Sequence, residues 1–485
     1  MRTHMADRNW LGLPKSRTQQ RIDNTLGIIP ADKVSKNKKW RDDRLHKLDM
    51  YYEGTQYDHL APWVLEPTQE YIPIHRRKPC INFLFAKRMA GTLASFMWGK
   101  KRFPAIKIEA DPMSEEYLQT IIRITSLDST LLQCFKSVIV QGSAFLRISV
   151  QAGNFKLEAF EAQYCYPEFD ENDELEQIEI KYTFKDPSDK KEKWVKIELT
   201  KIADILYDTP EYNSDTEPTF EEVERVEHNL GFVQGEWIRT AIVPQKIDGP
   251  SLLEDVLDFI DEMNYKLSQT STAIRYNIDP QLIITGLDQD EISSLVKSSA
   301  KGWNLGRDGT ANFLESNLGA AQTAVEFVDK IKTNIQNISR ILLMDPEKIN
   351  AQSISGRALE IMHSPLVELI DELRPQQQKH LVNILQKMAV INLAIYGQAG
   401  ASPISIPPGY KPVSFDVQVI WPPVFPQTIV DLNEKVNVAV RVSQASLISR
   451  ETLTRWLAKD FDVQDVEAEI EKIANQPSLN PFGAF

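Results

Sequence analysis

The stretch "INAQSISGRALEIMHSPL" (residues 349–366) sets Ser353, Ser355, Gly356 and Arg357 at the start of an apolar periodic pattern. Small hydroxyls, a glycine and an arginine at a helix N-terminus can hold a phosphate, because first-turn N–H groups lack intrahelical partners and the helix dipole favours an anion there. The same residues also make an ordinary cap, with Ser353 or Ser355 accepting a backbone N–H. No phosphate loop supports the nucleotide alternative. The nearest glycine pair, Gly302 and Gly306, runs into Arg307 and lacks the Gly-Lys-Ser/Thr ending. The HExxH, GxSxG and CxxC patterns are missing too. The acidic run "DENDELE" (170–176) lacks the glycine a calcium loop needs for its sharp turn. His4, His46, His59 and His75 fall early in the chain at no ligand spacing. Cys80, Cys134 and Cys165 are far apart and odd in number, which suits core packing or a reducing compartment. The expectation is a protein without catalytic residues, metal or cofactor.

Other means must therefore explain 485 residues with 42% hydrophobic content, enough for several packed units. The net charge of −13 is uneven. Residues 1–47 hold twelve Lys/Arg against five Asp/Glu, whereas residues 158–227 hold twenty-two acidic against eight basic side chains. A basic arm on an acidic body suggests two kinds of neighbour, and it argues against a tight duplex-DNA binder, which needs a basic footprint. No leader pattern opens the chain and no run approaches the length of a membrane span, so a soluble protein is expected.

Periodicity supplies the elements. "RLHKLDMYYEGTQ" predicts a helix stopped by Gly54. Residues 81–104 predict a second helix ended by Gly99, and residues 115–140 a third. Residues 142–160 alternate with period two and predict a hairpin about Ala152-Gly153-Asn154, with further strands over 178–184 and 194–200. Without βαβ alternation, this half is α+β and not doubly wound. Leu252, Leu253, Val256, Ile260, Met263 and Leu267 then form an apolar stripe opposite Glu254, Asp255, Asp258, Asp261 and Glu262. A second stripe runs Val325, Val328, Ile331, Ile335, Ile338 and Leu342. Two long helices thus enclose a small α/β insert with a glycine-rich turn "LGRDG". After them, residues 355–395 predict a long helix that Pro365 and Pro375 kink or break. "VSFDVQVIWPPVFP" predicts a strand, and residues 427–485 a small helical cap.

In order and spacing, "YYEGTQ", "RRKPCINFLFAKRMAGTLASFMWGKKRFP", "GSAFLRI", "SLLEDVLDFIDEMNYKLS", "SISGRALEI" and "LISRETLTRWL" resemble the portal protein family of tailed bacteriophages. The resemblance implies a mainly helical α+β portal fold and a non-enzymatic subunit of a closed ring, typically a dodecamer, at one capsid vertex of the virion. It implies an α+β wing over 46–249, completed by 396–426, after a basic arm (1–45) that matches nothing in the family pattern. Stem helices would span 250–273 and 322–344, a clip 274–321, a tunnel loop 345–354, a kinked wing helix 355–395 and a crown 427–485. Double-stranded DNA would pass through during packaging and ejection. The partners implied are the terminase, head–tail adaptors, the major capsid protein and a scaffolding protein, with assembly in the host cytoplasm. A terminase ATPase is excluded by the missing phosphate loop; another head–tail connector or minor capsid protein is the alternative.

Residue expectations follow. Lys348, Ile349, Asn350 and Gln352 sit on the tunnel loop, with Ser355, Gly356 and Arg357 as its hinge. Trp303, Arg307 and Asp308 on the clip turn suit subunit or motor contacts, or, for Trp303, the insert's own core. Lys330 and Lys332 are candidates for the stem lumen, against the plainer reading of solvated surface charges. An acidic body is expected to suit a channel in which DNA slides.

Overall fold

The computed structural model describes residues 34–60, 76–108, 111–151, 154–212, 218–244, 246–278, 281–285, 310–314, 318–342, 361–399, 404, 417–425, 429–445, 447–458 and 466–475. Helix α1, Val34–Glu53, ends where Gly54 adopts φ +82 and its N–H reaches back to the Met50 carbonyl at 2.8 Å. Helix α2, Phe85–Trp98, stops at Gly99 as its pattern predicts. The predicted third helix is two: α3, Pro112–Thr125, and α4, Leu127–Gln141. Asp111 caps α3 by accepting from Met113 and Ser114 N–H, with Pro112 in the first turn. The break falls at Ser126, held at φ +50, whose carbonyl accepts from the Ser129 and Thr130 hydroxyls.

All strand pairs among the described residues are antiparallel. Strands β2 (Ser143–Gln151), β3 (Asn154–Glu161) and β9 (Gly235–Arg239) form a sheet in the order β3-β2-β9. Strands β4 (Cys165–Phe169), β5 (Leu175–Lys185), β6 (Glu192–Thr200), β7 (Ala203–Tyr207) and β8 (Glu222–Glu227) form a five-stranded meander. The two sheets share one core, in which Phe145 and Trp237 meet Cys165, Ile178, Ile180, Ile197 and Leu199, with Leu45 of α1 added. Edge strand β8, "EVERVE", is exposed along its length; its charges and a bulge opposite Leu206/Tyr207 defend it against pairing.

Helix α5, Leu257–Ile278, and α6, Leu318–Ser339, pack together and flank a hairpin of β10 (Gln281–Thr285) and β11 (Thr310–Leu314). Helix α7, Ser364–Ala399, begins one residue before Pro365 and runs through Pro375 without a break. Strand β1 (Ala105–Lys107) pairs with β12 (Gln418–Ile420), bringing the predicted late strand back to the first half. Helices α8 (Ile429–Gln444), α9 (Arg450–Ala458) and α10 (Val466–Asn475) follow, α9 capped by Ser449 Oγ accepting the Thr452 N–H at 3.2 Å. Contacts divide the chain into two units, Met1–Lys348 with Met362–Pro422, and Ile349–Ile361 with Pro423–Phe485.

Residues 34–45 belong to α1, and Arg41 of the supposed arm is buried. Its guanidinium donates to Asp248 Oδ2 at 2.6 Å and Oδ1 at 3.0 Å, and to the carbonyls of Cys165 and Ala162.

The junction after α4 carries a stability prediction. Gly142 has φ +87, and a Cβ there would run into the Gly249 carbonyl. Gly142→Ala should lower unfolding stability by about 1–3 kcal/mol from the backbone term alone, measured by urea denaturation. An unchanged midpoint would refute the close approach.

Candidate functional site

The long helices gain their position from polar contacts at the base of α5. Tyr51, on α1, and Tyr57, just beyond Gly54, each donate a phenolic hydrogen to one oxygen of Asp261, both at 2.5 Å. Burial and the Asp261 carboxylate push both phenols above their ordinary range, so both stay protonated donors. One turn on, Asn264 Oδ1 accepts the Phe83 N–H at 2.9 Å while its amide nitrogen reaches Tyr57 Oη and Asn82 Oδ1. Ser268 Oγ then accepts the Ile81 N–H. Spacings of three and four put Asp261, Asn264 and Ser268 on one face of α5. Arg44 adds a forked pair to Glu254, its shortest contact 2.6 Å. Glu254 and Asp261, which the sequence pattern places opposite the apolar stripe, are thus bound by α1 and its C-terminal turn.

Between α5 and α6 the packing is narrower than the stripes. Ile260 and Met263 of α5 and Val328, Ile331 and Ile335 of α6 are buried. Val325 and Ile338, members of the predicted stripe, stay exposed, as do Phe327 and Ile274.

A second polar seam holds α7. Glu236 of β9 is buried and accepts from His380 Nδ1 (2.9 Å), Asn383 Nδ2 (3.0 Å) and Lys387 Nζ (2.7 Å). His380 Nε2 accepts the Arg239 N–H, which assigns the ring proton to Nδ1. Gln377 donates to the Arg239 carbonyl and Lys387 to the Gly235 carbonyl. Burial alone would raise the Glu236 carboxyl, but Lys387, then His380, more than offset it and hold it at about 2. Among the described residues, no cluster of His, Cys, Asp and Glu could hold a metal and no helix is long and apolar enough to cross a membrane.

Residues 32–478 match the family described as phage portal protein, SPP1 Gp6-like. The chain belongs to this phage portal family. It is a structural family of phage particles. Solved structures similar to this portal include the neck of the native GTA particle computed with C12 symmetry, at 9% identity over 76% of this chain and 88% of the other, TM-score 0.39. The virion of the native gene transfer agent particle aligns at 9% identity over 77% and 88%, TM-score 0.38. The neck of the empty GTA particle computed with C6 symmetry aligns at 10% identity over 76% and 89%, TM-score 0.41. No curated protein matches the portal chain.

The residues expected to carry function are placed unevenly. Lys348, Ile349, Asn350, Gln352, Ser355, Gly356 and Arg357, and likewise Trp303, Arg307 and Asp308, lie outside the described residues. Lys330 is exposed and Lys332 half-buried on α6. Two residues apart, they point about 160° away from each other around the helix. The two therefore lie on different faces of α6. Among the described residues, the acidic segment 158–227 supplies the end of β3 and strands β4–β8 with their turns, and no part of α5 or α6. Sequence reasoning missed Asp261, Tyr51 and Tyr57 as a joint. The signal available was the tyrosine-glycine-tyrosine spacing of "YYEGTQY", which looks like nothing more than a helix end.

Two predictions follow from these seams. Tyr51→Phe and Tyr57→Phe should each cost about 1.5–3 kcal/mol, the range for hydrogen bonds to a charged group. Because both share one carboxylate, the double variant should depart from additivity in denaturant titrations; strictly additive, near-zero losses would refute the shared anchor. The second concerns acid. The folded value of Glu236, about 2, lies below its ordinary 4.5. Its contribution is therefore complete above about 4.5 and lost as pH falls towards 2. Glu236→Gln should lower stability at neutral pH and flatten the stability profile across that acid window.

Proposed function

We propose that this portal chain forms a closed homo-oligomeric ring at one capsid vertex, through which double-stranded DNA is packaged and later ejected. The observation that supports this most is the α5–α6 pair. Each helix has 22 residues, about 33 Å at 1.5 Å per residue. Their apolar side chains exceed what the pair buries: Val325, Phe327 and Ile338 remain 44–46% exposed. Apolar side chains left open along a long helix favour packing against another surface, and a head-to-tail contact that closes by rotation makes a ring. In this reading α5 and α6 are the stem, the β10–β11 hairpin belongs to the clip, and α8, α9 and α10 to the crown.

The finer assignments rest on the family pattern. Residues 345–354 would be the tunnel loop, in which Lys348 and Asn350 touch passing phosphates without holding them, with Ser355, Gly356 and Arg357 as hinge. Trp303, Arg307 and Asp308 would serve the clip interface, where terminase docks first and head–tail adaptors later. Major capsid and scaffolding proteins would meet the outer wing. Lys330, which points away from the α5 contact, is the better lumen candidate of the two lysines.

The test is direct. Native mass measurement and negative-stain end views at micromolar concentration should give a ring with a central hole. Phe327→Asp with Ile338→Asp should shift the ring to monomer while leaving the circular dichroism spectrum unchanged. Monomers from the unaltered protein in several salts, or a ring indifferent to both aspartates, would sink this assignment.

A further inference from the structure

Arg239, the last residue of β9, is 4% exposed and tied in three directions. Its backbone N–H donates to His380 Nε2 at 3.2 Å and its carbonyl accepts from Gln377 Nε2 at 2.8 Å, so α7 fixes its main chain. The strand itself is paired to β2, where Arg239 faces Ser143. Its guanidinium leaves for the other sheet. Nη1 and Nη2 donate to the two carboxylate oxygens of Asp173 at 3.2 and 2.6 Å, and the group lies 5.0 Å from the centre of the Phe169 ring. Asp173 occupies the turn between β4 and β5, which is held by local bonds: Asp173 N–H to the Asp170 carbonyl, and Asn172 and Glu174 N–H to Asp170 Oδ1. It sits at φ +62, a conformation that an aspartate holds only against a cost.

We propose that Arg239 is a coupling residue, through which the seating of α7 on β9 governs the order of the β4–β5 turn. A guanidinium is a rigid fork, so its bidentate grip on Asp173 tolerates little displacement of its own backbone. That backbone is held on its open side by α7 side chains. If α7 shifts along β9, the fork leaves Asp173, and a turn that rests on a left-handed aspartate loses its external brace. Coupling of this kind needs a discrete element that both ends bias, and the turn supplies it. The inference concerns this chain's own mechanics and does not depend on the ring assignment.

Asp173 is 45% exposed, so the alternative is a solvent-screened staple with no influence on the turn. Amide hydrogen exchange on the full chain separates the two. Lys387→Met loosens α7 from Glu236 and the Gly235 carbonyl without touching Arg239. It should speed exchange at the 172–174 amides about five- to tenfold, and leave the Asp186–Lys190 turn unchanged. Asp173→Gly keeps the left-handed turn and removes the carboxylate; in that background Lys387→Met should no longer affect residues 172–174. Should Lys387→Met fail to fold, Gln377→Ala takes its place with the same readout. Faster β9 exchange with unaltered exchange at 172–174, or an equal response with and without the Asp173 carboxylate, overturns the proposal.

Discussion

A guanidinium buried against a carboxylate 207 residues further along the chain fixes much of the first unit. Burying such a charge is unfavourable unless every hydrogen-bonding direction is met. Arg41 comes close to this, directing four N–H bonds to both oxygens of Asp248 and to two main-chain carbonyls at the entrance to the meander. α1 is thereby pinned both to the sheets and to the approach to α5. Arg44 and Tyr51 continue along nearly the same helix face to Glu254 and Asp261. Apolar packing alone would let α5 slide or rotate by a residue. Directional bonds to single atoms do not, so the tilt of the long helix is set at its base before any neighbour is met.

The same logic governs the free edge of β9. A sheet edge presents main-chain groups that need partners. Here a helix supplies them through side chains: Gln377, His380 and Lys387 recur on one face of α7 and take the place of a missing strand. That also explains why α7 survives Pro375. The proline removes one ladder bond, but the next three turns are held from outside by β9, so continuity is retained to Ala399.

Elements whose signals are local were legible in the sequence. Gly54 and Gly99 end their helices, the stripes of α5 and α6 fall at helical spacing, and the β2–β3 hairpin follows its alternation. What failed had its cause elsewhere in the chain. Residues 34–45 look like a polar arm because the partner that makes Arg41 an interior residue lies at position 248. The acidic face of α5 gives no sign of its partners because its tyrosine donors lie about two hundred residues upstream. Ser126 breaks a helix with a residue that carries no strong stop signal.

Charge placement changes the electrostatic account of a channel. Many carboxylates of the meander are already engaged: Asp186 with Lys193, Asp170 with Lys201, Glu179 with Lys181 and Lys196, Glu211 with Lys191. Their net negative field belongs to the sheet and not to the long helices. α6 carries two acidic and two basic residues, and α5 three acidic and two basic. On α5, Asp261 is occupied by two phenols, and Glu262 is paired with Lys266 at 3.4 Å. In the proposed ring, sliding would then depend on near balance rather than on repulsion. A lining with few unpaired lysines releases few counterions when DNA enters, so contacts stay weak and short-lived at physiological salt. A strongly acidic wall would instead tax entry of the duplex, and a basic one would hold it; a balanced helix pair does neither.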